Sequence, residues 1–249
     1  MTSIPSFTEL HGLDIYVDGA DLTDIEEASR ISLYKGFTTN PSLMRKCGID
    51  NYPRFIQRVL ELADGRPTSF EVLSEEPREI VLQARRICEY GQNVQVKIPV
   101  VSSLGESFVS VIRELCLEGM ACNVTAVFTS HQINELVDSL PAESNPIVSI
   151  FVGRISDTGR DPLPLLAPDI RSVREKRPSW QLLWASPREL LNVFQAHAAG
   201  FHIITCTKDI RSKFKIVGKD LKDYSIETSR GFISDSYNLL SDTSNFWSK

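Results

Sequence analysis

Short apolar runs alternate along the chain with longer segments whose apolar residues recur every three to four positions. The runs are "LDIYVDG" (13–19), "GFTTNP" (36–41), "TSFEVL" (68–73), "NVQVKIP" (93–99), "MACNVTAVF" (120–128), "IVSIFVGR" (147–154), "WQLLWAS" (180–186) and "FHIITCT" (201–207). Such short apolar runs, several of them rich in β-branched residues, predict strands. The segments between them predict helices. "TDIEEASRISL" has Asp21 or Thr23 as a candidate N-cap, and "YPRFIQRVLELA" sets Phe55, Val59 and Leu62 on one face. "EPREIVLQARRICEYG" opens with proline and stops at Gly91, and "LGESFVSVIRELCLEG" stops at Gly119. "SHQINELVDSL" carries Ser130 as its cap, "PLLAPDIRSVREKRP" is the least regular, "SPRELLNVFQAHAAG" ends at Gly200, and "KDIRSKFKIVG" follows the last strand.

Eight strand–helix units in a chain of 249 residues predict an α/β fold, a closed (β/α)8 TIM barrel. An open doubly wound sheet is the alternative, but the chain lacks the G-x-G-x-x-G turn of a dinucleotide fold. No linker-like stretch divides the chain. We therefore expect one domain: an N-terminal arm over 1–12, the barrel over 13–218 and a C-terminal helical extension over 219–249.

Composition, 42% hydrophobic and 24% charged, is that of an ordinary globular protein, and a net charge of −5 argues against nucleic acid or an anionic membrane as partner. The start, "MTSIPSFTELHG", lacks the basic and apolar regions of a signal peptide. Five cysteines with no C-x-x-C spacing suit reduced thiols, and a cytoplasmic location is expected. Four scattered histidines offer no metal-ligand pattern, so no metal is expected.

Candidate chemistry gathers at the strand ends, where a barrel of this kind builds its active site. Asp18, Asn40, Glu71, Lys97, Asn123 with Thr125, Ser149 with Arg154, and Ser186 with Arg188 all lie in or just after an apolar run. Lys97 is the least ordinary of them. A lysine late in a buried strand is either an edge residue reaching water or an amine held for attack on a carbonyl.

Several of these segments together resemble the transaldolase family. "IYVDGAD" resembles its first-strand aspartate motif and "GFTTNPS" its second-strand T-T-N-P-S signature. "SFEV", "VKIP", "CNVTAVF" and "FVGRISD" follow in the family's order, and "WASPR" resembles its A-S-F-R segment, so that the likeness runs from about residue 13 to 207. The resemblance implies Schiff-base chemistry without metal or organic cofactor, in carbohydrate metabolism and the pentose phosphate pathway. It implies sugar-phosphate substrates; a homo-oligomer is also expected. Lys97 then takes the role of the nucleophile and Asp18 that of the acid/base for carbon–carbon cleavage. Glu71 and Thr125 match the pair that positions a water. Asn40, Asn123 and Ser149 match the residues that hold sugar hydroxyls, and Arg154, Ser186 and Arg188 match the phosphate end.

Glu71 and Phe151 match the transferring branch of the family. The branch that splits fructose 6-phosphate to free dihydroxyacetone typically carries Gln and Tyr at these positions. The sequence departs from the family at Gly19, at Val101, at Pro187 and over "TCTK" (205–208). These departures motivate one alternative, a specialised transaldolase making a long-chain sugar phosphate; the others are an aldolase releasing free dihydroxyacetone and a non-catalytic sugar-phosphate-binding barrel, against which Lys97, Asp18 and Glu71 argue.

Overall fold

The computed structural model describes residues 10–240. The expected N-terminal arm lies outside the described residues up to residue 9, and the expected extension from residue 241. Two compact units are distinguished: Leu10–Ser212, which holds the barrel, and a unit that contains the described residues from Lys213 to Leu240.

In the first unit eight parallel strands close in sequence order. They are β1 (Asp14–Asp18), β2 (Tyr34–Thr38), β3 (Thr68–Glu71), β4 (Val94–Pro99), β5 (Cys122–Val127), β6 (Ile147–Ile150), β7 (Gln181–Trp184) and β8 (Ile203–Cys206). Helices α1 (Leu22–Ser29), α2 (Pro41–Lys46), α3 (Tyr52–Ala63), α4 (Pro77–Cys88), α5 (Val109–Leu117) and α6 (Ser130–Ser139) accompany the first five strands. The short α7 (Val152–Ser156), then α8 (Pro162–Lys176), α9 (Leu191–Ala199) and α10 (Lys208–Arg211) accompany the rest. The closed order rules out the open-sheet alternative. The second unit contains α11 (Leu221–Leu240), a helix of 20 residues.

The helices form where apolar spacing and end chemistry agree. On α4, Ile80, Val81, Ala84 and Ile87 make one buried stripe, with proline in the first turn and the Glu76 carboxylate accepting from the Glu79 amide at 2.8 Å. Asp21 caps α1, as one of the two expected candidates. On α6 the cap is Thr129, not Ser130, because Thr129 and Gln132 satisfy each other's backbone amides as a capping box. The Ser130 hydroxyl instead donates to Asp169 on α8 at 2.7 Å.

Inside the barrel the two halves differ. Tyr16 on β1, Ile147 on β6, Leu183 on β7, Ala185 just after it and Ile203 on β8 form an apolar cluster, with Phe151 packed against it. Gly36 on β2 makes room for it, since a Cβ there would lie 2.5 Å from the Tyr16 ring. On the other side runs a polar chain. Ser149 donates to the Asn123 carbonyl oxygen at 2.6 Å, the Asn123 amide donates to Ser69 at 3.0 Å, and Ser69 donates to Gln95 at 3.1 Å. Buried polar groups need such partners, and this chain fixes the Asn123 amide in one orientation.

The joint between β7 and β8 depends on a neutral imidazole. The Leu182 amide donates to His202 Nδ1 at 3.0 Å, which requires that nitrogen to carry no proton. Burial, then the charge of Arg174, holds His202 below its ordinary 6.5. A depressed pKa adds stability that is whole above pH 6.5 and is lost as the pH falls toward the folded-state value. Urea unfolding at pH 7.5 and 5.5 should therefore show a larger loss for the natural chain than for His202→Asn, whose amide oxygen can accept the same bond without titrating. Equal losses would remove His202 from the account.

Candidate active site

One cavity of about 270 Å³ opens at the carboxyl ends of the strands. Asp18, Asn40, Glu71, Lys97, Thr125, Ser149, Phe151, Arg154 and Ser186, all expected from the sequence, line it, with Thr38, Ala126 and Thr205 among the others. Two expected residues do not line it. Asn123 is fully buried and reaches the site only through Ser149. Arg188 is exposed and paired with Asp157, through Nε at 2.9 Å and Nη2 at 2.5 Å.

Lys97 is 7% exposed. Its Nζ lies 2.9 Å from Glu71 Oε2 and donates to the Thr39 carbonyl at 3.1 Å. The two strands make this pair unavoidable, because Glu71 and Lys97 are register partners on β3 and β4. The Tyr52 hydroxyl from α3 donates to the Glu71 backbone carbonyl at 2.8 Å and pins the end of β3. A charged amine this deep requires such a partner.

Asp18 ends β1 on the same cavity. Burial pushes its carboxyl above the ordinary range; Lys97 and the Thr38 hydroxyl pull it back, and Glu71 adds to the rise. Thr38 donates to Asp18 Oδ1 at 2.9 Å. The Asn40 side-chain oxygen caps α2 by accepting from the Leu43 amide at 2.9 Å, and Asn40 adds a weak lowering influence on the Asp18 carboxyl. Thr125 is 2% exposed, and its buried hydroxyl has no hydrogen-bond partner among the described residues. A buried orphan of this kind facing a cavity calls for a partner from outside the protein.

The far wall is shaped by backbone strain. Ala126 and Ser186 adopt the left-handed conformation at φ 58° and 57°, which costs on the order of 1–3 kcal/mol per non-glycine residue and tends to collect at functional sites. Gly153 is required there: a Cβ on it would sit 1.6 Å from the Ser186 carbonyl oxygen. The sequence pattern carried the sixth strand to Arg154, but the strand stops at Ile150 and Arg154 rides on α7. The chain turns because Val152 and Ile155 find burial as a helical turn over this wall. The Arg154 guanidinium then lies 4.9 Å over the Phe151 ring, and Phe151 stacks on Phe128 at 5.5 Å.

Sequence reasoning missed Thr38, Thr205 and Asp157. Thr38 stood unassigned inside "TTNPS". Thr205 follows Ile203 by two on β8 and so shares its inward face. Nothing local to Asp157 marks it as the partner of Arg188, 31 residues away. Among the described residues no cluster of His, Cys, Asp or Glu is arranged to hold a metal ion, and no helix is long and apolar enough to cross a membrane.

Comparison with known proteins gives the same direction. Residues 15–244 match the family described as transaldolase/fructose-6-phosphate aldolase. A probable transaldolase of Dehalococcoides mccartyi is 33% identical over 191 residues, covering 77% of this chain and 85% of that protein. One from Roseiflexus sp. is 35% identical over 195 residues, covering 78% and 85%. Among solved structures, 2,3-dimethylmalate lyase, of the PEP mutase/isocitrate lyase superfamily, superposes with a TM-score of 0.53 at 10% identity, over 91% of this chain and 82% of that one. A likeness at that identity speaks for the barrel alone.

Proposed function

Because the chain belongs to the transaldolase/fructose-6-phosphate aldolase family, we propose that it moves a dihydroxyacetone unit from a ketose phosphate to an aldose phosphate through a Schiff base on Lys97. The observation that supports this most is the buried Lys97 amine, set against Glu71 at 2.9 Å in the cavity that also holds Asp18.

Each step draws on a group already in place. Lys97 passes a proton to Glu71 and attacks the C2 carbonyl as the free amine. Loss of water from the carbinolamine takes a proton back from Glu71, and the unpartnered Thr125 hydroxyl holds that water. The iminium withdraws electrons from C3, and Asp18 takes the proton of the C4 hydroxyl as the C3–C4 bond breaks. A carboxyl raised by burial is closer to the operating pH than an ordinary one, which suits a group that must gain and return a proton. The remaining enamine attacks the acceptor aldehyde, Asp18 returns the proton to the new alkoxide, and water releases the product from Lys97. Ser149 has spent its hydrogen on Asn123, so it receives a sugar hydroxyl as an acceptor only. Arg154 and Ser186 take the phosphate; Arg188 joins them only by leaving Asp157.

The rival within the family is release of free dihydroxyacetone. Phe151 argues for transfer, since its ring sits between Phe128 and Arg154 and carries no hydroxyl to protonate the enamine. The test supplies fructose 6-phosphate with and without an aldose phosphate, such as erythrose 4-phosphate. Transfer should exceed free dihydroxyacetone, and Phe151→Tyr should raise the free product at the expense of transfer. Faster release than transfer by the natural chain would favour the aldolase.

A further inference from the structure

Thr205 lies on β8, Asp18 on β1 and Thr38 on β2, three adjacent strands. Asp18 pairs with Thr38 in the ladder, and Thr205 pairs with Tyr16, two residues below Asp18. The two threonine hydroxyls therefore meet across β1, with their oxygens 2.6 Å apart, in residues only 3% and 5% exposed. Thr38 in turn donates to Asp18 Oδ1 at 2.9 Å. A threonine hydroxyl has one hydrogen. Since that of Thr38 goes to Asp18, the contact between the threonines has one solution: Thr205 donates and Thr38 accepts. The chain is polarised from Thr205 through Thr38 toward the carboxylate.

We propose that Thr205 is a positioning residue for Asp18, its hydroxyl acting through Thr38 to hold the carboxylate ionised and oriented for proton transfer. Each donor in such a chain strengthens the next. Without the Thr205 hydrogen, Thr38 loses its own donor and its bond to Asp18 loses that polarisation. Packing does not require the hydroxyl, because valine has the same branched shape. The catalytic half of the proposal rests on the reading of Asp18 as acid/base; the hydrogen-bond chain stands without it. The titratable groups facing Asp18 are Lys97 on β4, Glu71 on β3 and the buried Cys206 thiol on β8, with Arg154 on the same cavity. Substituting Thr205 removes none of them.

The test follows the Asp18 carboxyl directly, by carbon NMR of the full chain with labelled aspartate, assigned by its absence in Asp18→Asn. In Thr205→Val the titration midpoint should rise by on the order of half a pH unit, and Thr205→Ser should restore it. Thr205→Ala, which also lacks the hydroxyl, should repeat the shift and serves if the valine variant folds poorly. The acidic limb of kcat/KM for transfer should move with the carboxyl, while borohydride trapping of the Schiff base is unchanged. A midpoint unmoved in both hydroxyl-free variants would overturn the proposal. A moved carboxyl beside an unmoved activity profile would uphold the link from Thr205 and reject Asp18 as the acid/base.

Discussion

Lys97→Arg should leave no measurable transfer from fructose 6-phosphate while the protein keeps its fold. Arginine can stay paired with Glu71, so the buried carboxylate keeps a counter-charge. It cannot serve as an uncharged amine, because the guanidinium does not lose its proton in proteins. Loss of a nucleophile elsewhere costs on the order of 10⁶-fold in turnover. Thermal unfolding of the variant should stay close to that of the natural chain, which separates lost chemistry from lost structure. Turnover within tenfold of the natural chain would remove Lys97 from the mechanism.

Asp18→Asn should lower turnover by about 10²–10⁴-fold, the usual contribution of a general acid–base group. The amide keeps the shape, and its oxygen can still accept from Thr38, but it cannot take the C4 hydroxyl proton. The Schiff base should form and then stall before cleavage. Reductive trapping should therefore capture the whole ketose phosphate on the variant, where the natural chain should retain only its three-carbon part. Trapping of the three-carbon part alone by the variant would show that another group, with Glu71 the nearest candidate, removes the proton.

The strands were legible because a parallel barrel buries both faces of each one, and a run such as "NVQVKIP" has little other use. Its lysine stood out for the same reason: in a strand whose neighbours Val96 and Ile98 are fully buried, the one charged side chain invites a chemical reading. Asp18, Glu71 and Thr125 were found by their place at strand ends. Arg154 and Arg188 lie beyond the strands, where the pattern is weaker. The apolar run "SIFVGR" looks like continued strand; the burial that Val152 and Ile155 find as a helical turn, and the close approach of Ser186 to Gly153 that admits it, come from distant segments. Arg188 carried the right charge for a phosphate, but its resting partner is set by the placement of α7 against the loop after β7, which no local pattern encodes. Thr205 illustrates the same limit. A threonine on an inward strand face reads as an ordinary β-former until the neighbouring strands bring Thr38 within 2.6 Å.

The central claim is covalent attachment of substrate at Lys97. The most direct measurement is borohydride reduction of the natural chain in the presence of fructose 6-phosphate, followed by peptide mass mapping. The account predicts one adduct, a reduced three-carbon unit on the peptide that contains Lys97. A folded protein that gives no adduct, or gives it on another lysine such as Lys208, would contradict it.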